Sequence, residues 1–439
     1  MALDHTQAHT PVYTPRPDSS MENPAPTPVQ TEAQAVPAHH SALAPLREPL
    51  FRSLWIAAVI SYTGSWTQNI ATGWLMSSLT SSPVWVALVQ VALSLPVFLI
   101  ALPAGALADI MDRRKFLLFT QVSMVAAAGV LGILTMTEAV TPQLLLVFTF
   151  LLGVGAVMND PAWQALTPDL VPPPKLGAAV ALNSAGFNIA RAVGPALGGL
   201  VVAAAGSGVA FLLNAVSFVG VILFLYRWKP REREVPPHVG TLLGAIRIGI
   251  AYARQDRRMH AVLVRTLAFS LFASTFWALL PLIAHNYGAV GYGGMLAYFG
   301  MGALAGAGVL AKVRKSLSFD AVVTLATIVF AVALFGLVRA HSLALCSFFA
   351  AAAGLAWISN LATLNLVAQM TAPPWVRARM ISMYVLVLQG GLAIGSAVWG
   401  VVASQIGLKF TLTIAAGALI CGLVLSPWYR LQQPIASRA

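Results

Sequence analysis

Two side chains stand out for the chemistry they could do: Asp160, in MNDPAWQALTPDL, and Arg191, in LNSAGFNIARAVGPALGG. Both sit in long apolar runs, and Arg191 is the only charged residue between Lys175 and Arg227. A charge at the centre of a bilayer costs at least roughly 2.5 to 3.5 kcal/mol unless it meets a cavity or a partner. A carboxylate at such depth is suited to taking up and releasing a proton, because its proton affinity depends on burial and on the nearness of a cation. Counted from Pro172, Asp160 lies about twelve residues deep and Arg191 about nineteen, a height difference of roughly 10 Å at 1.5 Å per residue. A direct ion pair is therefore not required. Kinks at Pro161 and Pro168, a downward-reaching arginine, or bridging by Asn159, Asn188 or water would close the gap. The expected unit is a proton-coupling network of Asp160, Arg191, Asn159 and Asn188, with a static pair that fixes helix packing as the alternative.

The elements that hold these residues are dictated by composition. Of 439 residues 58% are hydrophobic and only 9% charged, against roughly a quarter charged in soluble proteins. The chain reads as an all-α membrane protein. With about 20 residues per crossing, twelve apolar segments emerge, near 54–79, 84–108, 116–137, 143–167, 177–205, 208–227, 261–284, 292–312, 319–339, 342–369, 380–405 and 408–428. Continuous runs, not alternation every second residue, favour helices over barrel strands. Basic residues fall in the short segments at one side, with only Arg339 and Lys409 at the other, which places both termini in the cytoplasm. The expected organisation is a disordered tail (1–45), a six-helix bundle (46–228), a cytoplasmic linker (229–259), a second six-helix bundle (260–429) and a short tail (430–439). Within the linker, Gly240 to Gln255 reads either as an amphipathic surface helix or as a solvated connection.

The halves repeat one another. VGPALGGLVVAAAG from Val193 aligns with IGSAVWGVVASQIG from Ile394, and the same offset pairs Asn159 with Asn360. Gly105 in GALAD meets Gly308 in GVLAK, and VPPPKL from Val171 meets TAPPWV from Thr371. Parallel repeats with a site near the midplane between them are the architecture of a rocking secondary transporter. The second half carries Leu361 and Leu392 where the first has Asp160 and Arg191, so the charged machinery belongs to one half.

GALADIMDRRK, from Gly105 to Lys115, resembles the G-x-L-A-D-R-x-G-R-[RK] loop of the major facilitator superfamily, with Ile110 and Asp112 departing from the pattern. The resemblance implies a cytoplasmic gating loop of Gly105, Asp109, Arg113, Arg114 and Lys115, in which Asp109 latches the two halves and favours the outward-facing state. Gly194, Pro195, Gly198 and Gly199 form G-P-x-x-G-G, similar to the motif of proton-coupled antiporters in that superfamily. Proline kinks the helix and glycines admit a neighbour. The order P-A-x-Q-A-L, LVP, L-N-S-A, R-x-x-G-P-A-L-G-G resembles the enterobactin-exporter-like branch, with Trp163 where arginine is frequent.

What the resemblance implies is the twelve-helix major facilitator fold and proton-coupled efflux of a siderophore, drug or related amphipathic molecule from the bacterial inner membrane, by a monomer. Uptake and a non-transporting sensor or scaffold are the alternatives. Gln68, Asn69, Gln90, Trp277, Asn360, Asn365 and Gln389 are the expected cavity residues, with Trp74, Asn183 and Asn214 as further candidates. The glycines of GMGALAGAG (Gly300 to Gly308) read as packing residues, since no strand precedes them for a nucleotide fingerprint. No P-loop is present for a primary pump, and Asp160 with Arg191 is the only charged pair expected within the spans, too little for an enzyme. The partners expected are protons, a small molecule and the lipid bilayer. Nucleic acid, cofactors and metal are not expected: the basic residues report topology, Cys346 and Cys421 lie apart in apolar runs, and His5, His9, His39 and His40 are scattered in the tail.

Overall fold

The protein is described by a computed structural model over residues 42–164, 166–228, 254–373 and 376–431, the side chains at 102, 105, 106, 108–110, 161 and 162 lying outside the description. Most of the tail expected over 1–45, most of the linker with Gly240 to Gln255, and the chain after 431 are thus outside the described residues.

The long helices are α1 (Pro49–Leu79), α2 (Pro83–Ile110), α3 (Arg113–Met136) and α4 (Pro142–Gln164), then a short α5 (Thr167–Leu170) and α6 (Leu176–Arg227). They continue with α7 (Arg257–Ala284), α8 (Gly288–Ser316), α9 (Phe319–Arg339), α10 (Leu343–Thr371), α11 (Arg377–Ile406) and α12 (Leu408–Gly422). In hydrocarbon every backbone group must be satisfied within its own segment, which is why apolar runs this long become helices. Their starts follow local chemistry. Proline opens α1 and α2, where its missing N–H is no loss. Side-chain oxygens cap four others: Asp112 accepts from Lys115 N (2.9 Å), Asp256 from Met259 N (2.7 Å), Ser318 from Ala321 N (3.2 Å) and Ser342 from Leu345 N (3.3 Å).

Nine stretches among the described residues are long and apolar enough to cross a membrane, and two of them, 173–227 and 257–316, are 55 and 60 residues long. Each of those is more than twice the roughly 20 residues one crossing needs. The first divides at Gly206, whose φ of 83° breaks α6 into two limbs; the second divides between α7 and α8. Polar residues such as Ser61, Thr63, Gln68 and Asn69 dilute α1, which stands outside the nine. Outward faces carry apolar side chains, including Phe119, Ile133, Val216, Phe348 and Phe410, each more than half exposed in the absence of lipid.

The internal repeat reaches the backbone. Gly206 (φ 83°, ψ 167°) and Gly407 (φ 81°, ψ 161°) close the two aligned segments with the same left-handed turn, which only glycine adopts without strain. Side chains repeat as well: Asn159 on α4 accepts from Thr120 on α3 (3.4 Å), and Asn360 on α10 donates to Thr327 on α9 (3.0 Å). Gly194 seats α6 on Thr63 and Trp66 of α1, as Gly395 seats α11 on Leu271 and Ser274 of α7.

Helices α1, α2, α3, α4 and α6 pack on one another, as do α7 to α12, and the two sets meet mainly along α6 with α8 and α2 with α11. Glycine makes those seams close. A Cβ on Gly293 of α8 would stand 2.5 Å from Pro195 O of α6, and one on Gly400 of α11 would stand 2.6 Å from Ala87 of α2. Within the second set, Gly302 and Gly306 of α8 lie against the α10 backbone, and Gly300 lies against α6 at Ala192 and Arg191 O. These glycines of GMGALAGAG are packing residues; Gly308 has open space.

Candidate functional site

One end of the bundle is sealed. Close to the turns at Gly206 and Gly407, Trp74 of α1 stacks on His285 after α7 (ring centroids 5.4 Å, interplanar 20°), and Gly73 lies under the Tyr292 hydroxyl. The seams run inward as far as Gly300 on Arg191 O and Gly390 on Phe98. At the opposite end, where Arg113, Arg114, Lys115, Lys175, Arg314 and Arg379 gather, an open-mouthed cavity of about 430 Å³ is lined by Arg314, Leu361, Asn365, Gln369 and Tyr384. Three ion pairs at the basic end each stay within one set: Arg113 with Asp169 (3.9 Å), Lys175 with Glu48 (2.7 Å) and Arg265 with Asp320 (2.5 Å). Arg114 donates to Leu225 O (2.7 Å) and Tyr226 O (2.6 Å), tying α3 to the end of α6.

Asp160 is exposed near the basic end of α4, and Arg191 is half-buried in α6. No ion pair joins them among the described residues. The two amides expected to bridge them are turned elsewhere. Asn159 accepts from Gln121 Nε2 (3.0 Å) and Thr120 on α3, while Asn188 donates to Ser184 O (2.8 Å) of its own helix. Three residues further along α4, Trp163 belongs to an aromatic group with Tyr62 of α1. Tyr62 in turn meets Trp163 (6.4 Å) and Phe187 (5.4 Å) edge to face.

The expected cavity residues divide. Asn365 lines the opening, hydrogen-bonded by Gln369. Gln68 does not: it is buried inside the first set and accepts from Asn214 Nδ2 (2.6 Å), because its face of α1 turns toward the second limb of α6. Asn360 is likewise fully buried against Thr327, and Gln90 donates to Ser94 of its own helix (2.9 Å). Asn183 donates to Thr167 at the basic end (3.0 Å). Asn69 and Gln389 are half-buried. Trp277 joins a ring cluster with Phe276, Phe299 and Trp357, its indole N–H buried without a partner among the described residues. Gly105 and Asp109 fall on the last turns of α2, with side chains outside the description.

Asp160 with Arg191 is not the only pair of charges at the spans. Arg265, 7% exposed within α7, donates to Asp320, to Ser426 Oγ (2.8 Å) and to Thr324 Oγ1 (3.3 Å), and both Asp320 oxygens accept from Leu431 N (3.0 Å). Arg265 lies inside the segment expected over 261–284 and was its only charge. That was the available signal.

A helical protein whose two sets share a repeat, in close contact at one end and with a cavity at the other, has the form of a carrier. Residues 40–437 match the family described as transmembrane secretion effectors. The chain belongs to that family of the major facilitator superfamily. It is a multi-pass membrane transporter of small molecules. Among its relatives are the staphyloferrin A transporter of Staphylococcus aureus, 22% identical across 83% of this chain and 92% of that one, and the multidrug efflux pump Tap of Mycolicibacterium fortuitum, 27% identical across 86% and 95%. The fold is also that of a POT family peptide transporter solved in an auto-inhibited form (TM-score 0.71, 13% identity, 89% of this chain and 99% of that one).

Proposed function

We propose that this transporter exports an amphipathic small molecule, of the siderophore or drug class, across the bacterial inner membrane in exchange for protons, and that the structure is its inward-facing state. The observation that carries the reading is an asymmetry of the two ends: glycine-mediated contact between the sets at one, and at the other, where the arginines and lysines gather, a cavity lined by α8, α10 and α11. Basic residues mark the cytoplasmic side, so the open end faces the cytoplasm, from which an exporter loads. The named activity of one relative, multidrug efflux, supports the same direction, and that of another, staphyloferrin A transport, supports the siderophore class. Twelve crossings follow if α1 spans and if 173–227 and 257–316 each count twice, giving bundles over 46–228 and 260–429 joined by the linker of 229–259, with both termini cytoplasmic. A monomer suffices for this cycle. Asp160 is the proton carrier in this reading, with Arg191 approaching it when the basic end closes. Asp109, Arg113, Arg114 and Lys115 gate that end.

The test is mass spectrometry of small molecules in cells and spent medium, with and without the gene, in iron-poor culture. Retention in the cells of a compound absent from the medium supports export. Its accumulation in the medium on deletion indicates uptake instead and overturns the direction.

A further inference from the structure

We infer that Arg314 of α8, with Asn365 of α10 on the wall of the same cavity, forms an anion subsite that holds the carboxylate of an amphipathic cargo, while Leu361, Ala362 and Leu366 take its apolar part. The inference deepens the export reading and rests on it for the cavity at the basic end being the loading side.

The cavity wall is built on one face of α10: Leu361, Asn365 and Gln369 recur every fourth residue, with Ala362 and Leu366 beside them. Two of the three helices that line it, α8 and α11, are those that meet the first set, so the cavity borders the seams. Arg314 enters from the last turn of α8 and is steered by one hydrogen bond. Its Nη2 donates to Thr363 Oγ1 (3.0 Å), whose own proton goes to Ser359 O (2.7 Å). The Nε–H is buried with no partner, and no carboxylate pairs with the guanidinium, among the described residues. Composition explains the lack of a counter-charge. From Arg257 to Ala439 the only acidic residue is Asp320, which Arg265 and the Leu431 N–H already occupy. An oxyanion in the cavity therefore meets an unpaired cation and no repelling carboxylate from this set. The amides add a donor: Asn365 accepts from Gln369, which leaves its own NH2 group to donate, while the Tyr384 hydroxyl is spent on Leu361 O (3.0 Å). A guanidinium offers its N–H groups as a planar fork that a carboxylate matches with two hydrogen bonds. The volume of about 430 Å³ is that of a site for a drug-sized molecule.

The test uses the full-length protein in phosphatidylcholine nanodiscs, with empty nanodiscs as the blank, and two probes of one shape, 2-naphthoate and its uncharged amide, 2-naphthamide. Isothermal titration is expected to show saturable 2-naphthoate binding, with 2-naphthamide at least about 10-fold weaker. Arg314→Gln should weaken 2-naphthoate roughly 10- to 100-fold, and Arg314→Lys, which keeps the charge without the fork, by less. Asn365→Asp, which sets a carboxylate on the same wall, should weaken it as much as Arg314→Gln. Lys315→Gln removes an equal charge from the exposed neighbour and should bind like the parent. Melting curves show which variants fold, and Asn365→Asp keeps the test decisive if Arg314→Gln does not. Equal binding of the amide, a folded Arg314→Gln or Asn365→Asp that binds like the parent, or an equal loss in Lys315→Gln overturns the subsite. Displacement of 2-naphthoate by dihexanoylphosphatidylglycerol and not by dihexanoylphosphatidylcholine assigns the guanidinium to an anionic lipid headgroup and overturns the cargo assignment. If 2-naphthoate does not bind while gene deletion still shifts a compound between cell and medium, the subsite falls and export stands. If it binds as expected but deletion shifts nothing, the subsite stands and the export reading falls.

Discussion

Among single residues, Asp160 and Arg265 show how differently two charges at a span are treated. Asp160 is left open, whereas Arg265 is enclosed by Asp320, Thr324 and Ser426. Removing one member of a buried pair strands the other, at about 3 to 5 kcal/mol for full burial. With the Asp320 side chain 31% exposed, Asp320→Asn is expected to cost about 3 kcal/mol or less, read as a lower melting temperature in detergent, while Asp160→Asn leaves melting unchanged. The reverse holds for transport. In proteoliposomes with an imposed pH gradient, Asp160→Asn should reduce gradient-driven flux to the level seen with a protonophore, and flux at the parent rate would remove Asp160 from the coupling step. The sequence made Asp160 and Arg191 conspicuous because each interrupts an apolar run. It left the direction of Asn159, Asn188 and Gln68 unreadable, since periodicity fixes a residue's face on its own helix but not which neighbour that face meets.

Helix limits were far more legible than helix rotation. The segment expected over 319–339 is α9 from Phe319 to Arg339, and the break expected between 205 and 208 is Gly206. Proline, glycine and capping serine or aspartate mark such ends in the chain itself. The role of G-P-x-x-G-G was also readable in kind, as close packing, but not its partners: Gly198 meets Ile70 and Thr67 of α1, and Gly199 meets Ala289 and Gly293 of α8. One helix therefore grips its own set and the opposite one with adjacent glycines. Gly199→Leu is expected to wedge α6 from α8 at the sealed end while leaving the α1 seat intact. A cysteine placed at Asn69 should then react faster with a membrane-impermeant thiol reagent added from the non-basic side. Unchanged labelling would mean that the α6–α8 seam does not close that end. Gly206→Ala introduces strain at a positive φ, and about 1 kcal/mol of destabilisation is expected in the same melting assay.

For the molecule as a whole, the seams predict a reciprocal movement. Spin labels at Asp112 and Ser316, in opposite sets at the basic end, should draw together when the protein turns outward, while labels at Thr80 and Ile406 separate. Pulsed dipolar spectroscopy at two pH values reads both distances, and pairs that change in the same sense would rule out rocking about the midplane. Repeat and charge asymmetry both follow from the sequence, the first through aligned glycines and asparagines, the second through Leu361 and Leu392 opposite Asp160 and Arg191. The tie between Asp320 and Leu431 does not, because it joins a side chain to a backbone N–H that has no residue identity to read. That tie also orders events during synthesis. Asp320 leaves the ribosome 111 residues before the amide that it holds, so until Leu431 emerges its carboxylate has Arg265 alone, and the second set of helices reaches its finished packing only after nearly all of the described chain has been made.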